Sequence, residues 1–296
     1  MNEEFARKVE LLIEQVENAE TDRLSELAEI ADLNLAQDFV GIDLSSADLS
    51  REDLSKSNFH NANLSFANLH LANLHFADFS NANLRGANFS YSLLIGTNFS
   101  SANLINADLS NTELWHTNLN GTNLIGADLS NTNLKYTRIN QETELAPKWR
   151  LVWEIVNQGA KNRNFYNIDL SNSNLSCIDF YNAYFYRANL SSSNLYKANL
   201  SGANLYSANL SFANLVNSKL NNTNLIEANL RGANLSNAEL LKANLSDADL
   251  REANVENTRF GYNPGILDSQ RQSLIERKAI FEDLPPGDRS GVLTPV

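Results

Sequence analysis

A bulky apolar residue recurs at every fifth position of this chain. The first run goes from Phe39 through Leu44, Leu49 and Leu54 to Ile139; a second, in a new phase, goes from Phe165 through Leu170 and Leu175 to Phe260. The runs hold twenty-one and twenty pentapeptides. Neither the helix period of 3.6 nor the strand period of 2 divides into five. Two residues before each centre stands Ala, Ser or Thr in nearly every repeat, as in Ala62 before Leu64 and Ala203 before Leu205. Inward positions therefore alternate by two, then by three. A strand alternates cleanly by two, so the extra residue turns a corner. Each pentad predicts one short face and one corner, the chain coils, and equivalent positions stack coil upon coil. The spacing alone leaves open how many faces close a coil.

The flanks carry a different rhythm. In residues 1–38, Phe5, Val9, Leu12 and Val16 share one helical face, and Leu24, Leu27, Ala28 and Ala31 share another, with Thr21 as N-cap of the second helix. This predicts a helical N-terminal cap over the first coil. Glu52 falls on an inward position of that coil. A buried unpaired carboxylate is costly, which predicts incomplete closure there. Between the runs, residues 140–164 predict a helical insert starting at Pro147, with Trp149, Val152, Trp153 and Val156 on one face and Gly159 as its stop. After the second run, Asn263-Pro264-Gly265 leads into a capping helix around residues 269–281 that bears Leu274, Ile275 and Phe281, within a C-terminal segment 261–284. Residues 285–296 read as a disordered tail. Phe165 follows Ile139 by 26 residues, so the insert resets the phase. One continuous tube and two tubes at an angle both satisfy this pattern.

Forty-odd matches to A(D/N)LXX, such as Ala62-Asn63-Leu64-Ser65-Phe66 and Ala233-Asn234-Leu235-Ser236-Asn237, resemble the pentapeptide-repeat family over residues 39–139 and 165–260. The insert and the Arg259-Phe260-Gly261-Tyr262-Asn263-Pro264-Gly265 ending look similar in style to cyanobacterial members. The resemblance implies an all-β solenoid, a right-handed quadrilateral β-helix with four pentads per coil, here carrying α-helical caps and one helical insert. Each array then has about five coils and, at roughly 4.8 Å per coil, is about 25 Å long. It also implies two functional classes: a non-enzymatic interaction scaffold, and a mimic of duplex DNA that inhibits a DNA-binding protein such as DNA gyrase.

Charge separates these. The chain carries a net −12. Residues 1–38 account for −8, while the first array carries −3 and the second −1. The position before each centre is mostly Asn rather than Asp. Mimicry needs carboxylates arrayed along the tube, so the scaffold reading is preferred. Direct nucleic-acid binding is disfavoured because no basic stripe exists. No apolar run approaches 18 residues, which argues against a membrane span. The acidic N-terminus lacks a secretion signal, and the single cysteine, Cys177, is at an outward position; both suit a cytoplasmic protein.

No catalytic constellation, metal motif or phosphate loop stands out, and neither metal nor cofactor is expected. His60, His70, His75 and His116 all fall in the first array, in columns too dispersed for one metal site, and read as solvated surface residues. Folding the chain by twenty brings Lys56, His75, Phe76, Leu93, Ile95, Trp115, His116, Lys135 and Tyr136 onto one face. Phe76, Ile95, Trp115, His116 and Tyr136 make it a candidate protein-binding face. Cover by the insert helix, or by a second copy in a homodimer, are the competing readings. In the second array Tyr166, Tyr186 and Tyr206, with Ile226, form a column at twenty-residue spacing. A stacking ladder that ties neighbouring coils is preferred there over a binding stripe.

Overall fold

The computed structural model describes residues 39–282, together with Glu26 and Asn34. The expected N-terminal helices and the expected tail lie outside the described residues. The chain divides into two compact units, Met1–Arg150 and Leu151–Val296. Each contains a right-handed quadrilateral β-helix.

Bridged residues lie twenty apart: Asp43 pairs with Asn63, Asn63 with Asn83, Asn164 with Tyr184 and Tyr184 with Asn204, all parallel. Twenty residues are four pentads, so four walls close each coil. Backbone bonds run from coil to coil at every pentad. The Asn63 N–H donates to Ile42 O (2.8 Å), that of Leu64 to Asn83 O (2.8 Å) and that of Phe66 to Arg85 O (2.9 Å). Corners close locally, as where the Ala62 N–H donates to Phe59 O (3.0 Å). The second residue after the centre then adopts positive φ: 61° at Phe66, 57° at Asn106, 61° at Tyr136 and 54° at Asn182.

 For an L-residue this conformation costs roughly 1–2 kcal/mol, and Asn and Gly, which tolerate it best, occupy many of the corners.

Both inward positions are sealed. The centres are almost wholly buried, and on the first wall Phe39, Phe59, Phe79 and Phe99 stack with centroids 5.6, 5.0 and 5.3 Å apart. Where the small position is Thr, its hydroxyl donates to an interior carbonyl, as Thr97 to Leu74 O (2.9 Å) and Thr122 to Phe99 O (2.7 Å). The Asn before each centre does two jobs. Asn63 Oδ1 accepts the Ser65 N–H (3.3 Å), and its Nδ2 donates to Asp43 Oδ1 one coil away (3.1 Å). Asn83 and Asn103 extend that ladder at 2.9 and 3.3 Å.

Four features differ from the sequence reading. Glu52 is only 4% exposed, and its carbonyl accepts the Asn73 N–H (2.8 Å), so the coil is closed around it rather than open. The first array runs past Ile139: Glu144 bridges Asn123, and Thr143 takes the small position, donating to Leu119 O (2.8 Å). One extra residue in this last pentad hides it from a strict count of five. The second array begins one pentad early, at buried Ala160, whose carbonyl accepts the Arg163 N–H (3.2 Å). Between them α1 spans Pro147–Gln158, with Trp149, Val152 and Ile155 buried and Trp153 and Val156 only half-buried.

The fourth difference is at the C-terminal end. The helix α2 spans Asp268–Glu276 and buries Leu274, but Phe281 is not part of it. After α2 the chain returns to the tube. There β1 (Arg259–Phe260) pairs in parallel with β2 (Ile280–Phe281). The Phe281 ring stacks on Phe260 at 5.2 Å. Lys278 takes the corner at φ 66° and Ala279 the small position, so Lys278-Ala279-Ile280-Phe281 repeats the pentad signature after a helical detour. Arg259 ties the last coils together through Glu239 (3.2 Å) and Glu282 (2.6 Å).

Glycines at corners show a further regularity. The rings of Phe66, Phe76 and Phe212 each lie over the glycine twenty residues on, Gly86, Gly96 and Gly232, where a Cβ would come within 2.7 Å of ring carbons. Gly121 has the same φ, 67°, but meets only Ser101, at 3.4 Å. Gly96→Ala is therefore expected to lose about 1–2 kcal/mol for the left-handed conformation plus the cost of displacing Phe76, whereas Gly121→Ala loses only the first. Denaturant unfolding of the two variants reads the difference, and equal losses would remove the ring contact as a cause.

Candidate protein-interaction surface

The fourth wall of the first unit is built on the centres Leu54, Leu74, Leu94, Leu114 and Leu134. The corner that follows it carries Phe76 (62% exposed), half-buried Ile95, Trp115 (39%), His116 and Tyr136 (52%). Tyr136 is held in place by its neighbours. His116 stacks on it at 5.2 Å, Trp115 meets it edge-on at 6.2 Å, and Lys135 Nζ lies 5.2 Å from its ring. Phe76 is pinned over Gly96 and contacts His75 at 6.4 Å. His75 Nε2 is buried without a hydrogen-bond partner. These side chains pack against one another and against the tube, and such packing limits the rotamer freedom that binding would remove.

The wall is wider than its corner. Leu71 and Tyr91, 43% and 54% exposed, stand on the preceding corner, and Leu93, 42% exposed, stands between. Leu93 is the one apolar residue of the first array in the position otherwise held by Asn, Asp, Glu or Arg. It offers no oxygen to the Ile95 N–H, and it separates the ladder bond Asn73–Asp53 (2.9 Å) from Asn133–Glu113 (2.8 Å). Sequence reasoning placed Leu93 on this face but missed Leu71 and Tyr91. The signal was present in their offset of twenty residues on the opposite corner.

The histidines are dispersed: Nδ1 of His60 and of His70 each lies 2.8 Å from a serine Oγ one coil away, Ser80 and Ser90. Among the described residues no group of His, Cys, Asp and Glu could hold a metal. An open cleft of about 850 Å³ lies beside α2, lined by Leu250, Ile266 and Leu274. Its arginines are engaged, Arg251 with Asp249 (2.7 Å) and Arg277 with the carbonyls of Leu250 and Ala253 (3.2 and 3.1 Å). The Arg251 guanidinium holds the Asp249 carboxyl down at about 2.

In the second unit Tyr166, Tyr186 and Tyr206 stack at 5.5 and 5.2 Å with near-parallel rings. Tyr184 adds a fourth ring, 6.2 Å from Tyr186, and Arg187 lies 5.1 Å over Tyr186. The column ends on Glu227, which accepts from Tyr206 Oη and Ser207 Oγ, both at 2.6 Å.

Residues 38–75, 77–115, 107–141, 164–202, 183–222, 203–240 and 223–261 match the family described as Pentapeptide repeats (8 copies). The chain belongs to the pentapeptide-repeat family. Among solved structures it is similar to HetL, a pentapeptide repeat protein involved in heterocyst differentiation regulation from the cyanobacterium Nostoc sp. strain PCC 7120, at 26% identity, covering 80% of this chain and 97% of that one with a TM-score of 0.29. A second Nostoc pentapeptide repeat protein is 32% identical, covering 35% of this chain and 84% of its own with a TM-score of 0.32. QnrB1, a plasmid-mediated fluoroquinolone resistance protein, is 16% identical, covering 82% and 91% with a TM-score of 0.26. No curated protein matches the sequence. Among the described residues no helix is long and apolar enough to cross a membrane.

The hydrogen bonds at Glu227 set the pH response of the tyrosine column. The bonds from Ser207 and Tyr206 hold its carboxyl below the ordinary 4.5, so their contribution is full above that value and fades as pH falls through the lowered one. The same carboxylate raises the Tyr206 phenol above 10.0, so the neutral phenol's contribution is full below pH 10.0 and is lost as pH rises through the raised value. Glu227→Gln is expected to bring the Tyr206 titration back toward 10.0, read by ultraviolet difference absorbance against a Tyr206→Phe reference. An unchanged titration would show that the bond does not persist in solution.

Proposed function

We propose that this chain is a non-enzymatic, cytoplasmic protein-interaction scaffold that presents the fourth wall of its first unit to a protein partner. The supporting observation is the concentration of exposed Phe76, Trp115 and Tyr136, with Leu93 replacing a ladder residue, on one wall of a rigid tube. Exposed apolar patches of this kind mark interaction sites, and aromatic anchors supply much of the energy at interfaces. Mimicry of duplex DNA is the weaker reading. The position before each centre is mostly Asn, and its amides are used in coil-to-coil ladders rather than as rows of free charge.

Capture from a cyanobacterial lysate tests the reading. Intact protein is compared with a Trp115→Asp, Tyr136→Asp double variant whose circular dichroism is unchanged. The expected outcome is a partner retained by the first and reduced at least tenfold by the second. Equal capture by both, or none by either from a protein that is also monomeric in solution, would sink it.

A further inference from the structure

We infer that the protein partner of the fourth wall is a second copy of the same chain, docked antiparallel about a two-fold axis that crosses the wall at the level of Leu93. This rests on the reading of that wall as an interaction surface. Three observations carry it.

The first is area. Leu71, Phe76, Tyr91, Leu93, Trp115 and Tyr136 are 39–62% exposed. At roughly 100 Å² apiece, scaled from the 150–250 Å² that an aromatic side chain offers, they expose roughly 600 Å². A standard interface takes about 800 Å² per partner, so these side chains supply most of what a stable dimer needs.

The second is self-complementarity. Equivalent positions recur every twenty residues along the tube. An axis lying in the plane of the wall and crossing it at Leu93 sets each coil against the coil equally far beyond that level. Leu93 then meets Leu93, Ile95 meets Ile95 and Tyr91 meets Tyr91. Phe76 and His75 meet His116 and Trp115, Lys56 meets Tyr136, Asn73 meets Glu113, and Asp53 meets Asn133. Aromatic rings fall on aromatic rings, a cation falls on a ring and an amide falls on a carboxylate. An axis along the tube would instead set Asp53 against Asp53, Glu113 against Glu113 and Trp115 against Asn111, opposing like charges and burying a ring on an amide. The antiparallel arrangement is thus the selected one.

The third is the position of Leu93. It gives up ladder and corner hydrogen bonds at the coil through which the axis passes. An isologous contact uses the axial residue twice.

Sedimentation velocity over a concentration series tests this on the full chain. Wild type is expected to dimerise. Leu93→Arg, which would place two guanidinium groups together on the axis, is expected to weaken association at least a hundredfold with unchanged circular dichroism. Ile125→Arg, on an apolar corner away from the fourth wall and 54% exposed, is expected to dimerise as wild type does. Orientation is read with a short bismaleimide cross-linker in a Cys177→Ser background. Leu93→Cys should cross-link to itself, and Lys56→Cys should cross-link to Tyr136→Cys only when the two are mixed. A monomer at every concentration, a dimer indifferent to Leu93→Arg, or cross-linking of Lys56→Cys to itself would each overturn the inference. If wild type is monomeric while the double aspartate variant still loses a captured partner, the scaffold reading stands and only the dimer fails.

Discussion

A separation of twenty residues governs this molecule. Each backbone N–H that leaves a coil must find a carbonyl on the next one, so every pentad is committed to its counterparts above and below. The constraint acts on side chains too. Leu and Phe centres fill the interior in columns, Phe39 to Phe99 stack ring on ring, and Asn63, Asn83 and Asn103 relay one hydrogen bond along the outside. Such a stack gains stability nearly additively from its neighbouring coils, and it tolerates left-handed corners because the coil-to-coil bonds over-determine them.

The same constraint makes the surface readable. Because most positions before a centre are polar for a structural reason, an apolar residue there is conspicuous. Leu93 in the first array and Tyr184 in the second are such departures. Tyr184 lies beside the tyrosine column, 6.2 Å from Tyr186, and Leu93 lies in the middle of the exposed aromatic wall. At both places the tube forgoes a ladder residue for apolar surface.

The repeat, its two phases and the columns of Trp115, Tyr136 and the stacked tyrosines were legible because a period of five is visible in residue type alone. What escaped were the places where the count slips. Thr143 and Glu144 continue a wall with one residue too many, and Ala160 is too small to look like a centre. Phe281 was assigned to a helix because twelve residues separate it from the nearest helical start at Asp268, and no local signal says that the chain has rejoined the tube. The burial of Glu52 was misjudged because a single sequence shows the position of a carboxylate and not its enclosure. Leu71 and Tyr91 were missed because the face was taken as one corner instead of a wall with two.

The return of Lys278-Ala279-Ile280-Phe281 to the last coil has a meaning for how such a chain can change. Between Gly265 and Lys278 the polypeptide leaves the tube, makes α2, and comes back in register with Phe281 on Phe260. A corner is therefore a splice point. A segment with its own secondary structure can be grafted there while the walls on either side keep their pairing, and only the adjoining coils feel the change. New surface can accumulate on this scaffold by insertion, without any alteration of the columns that hold it up.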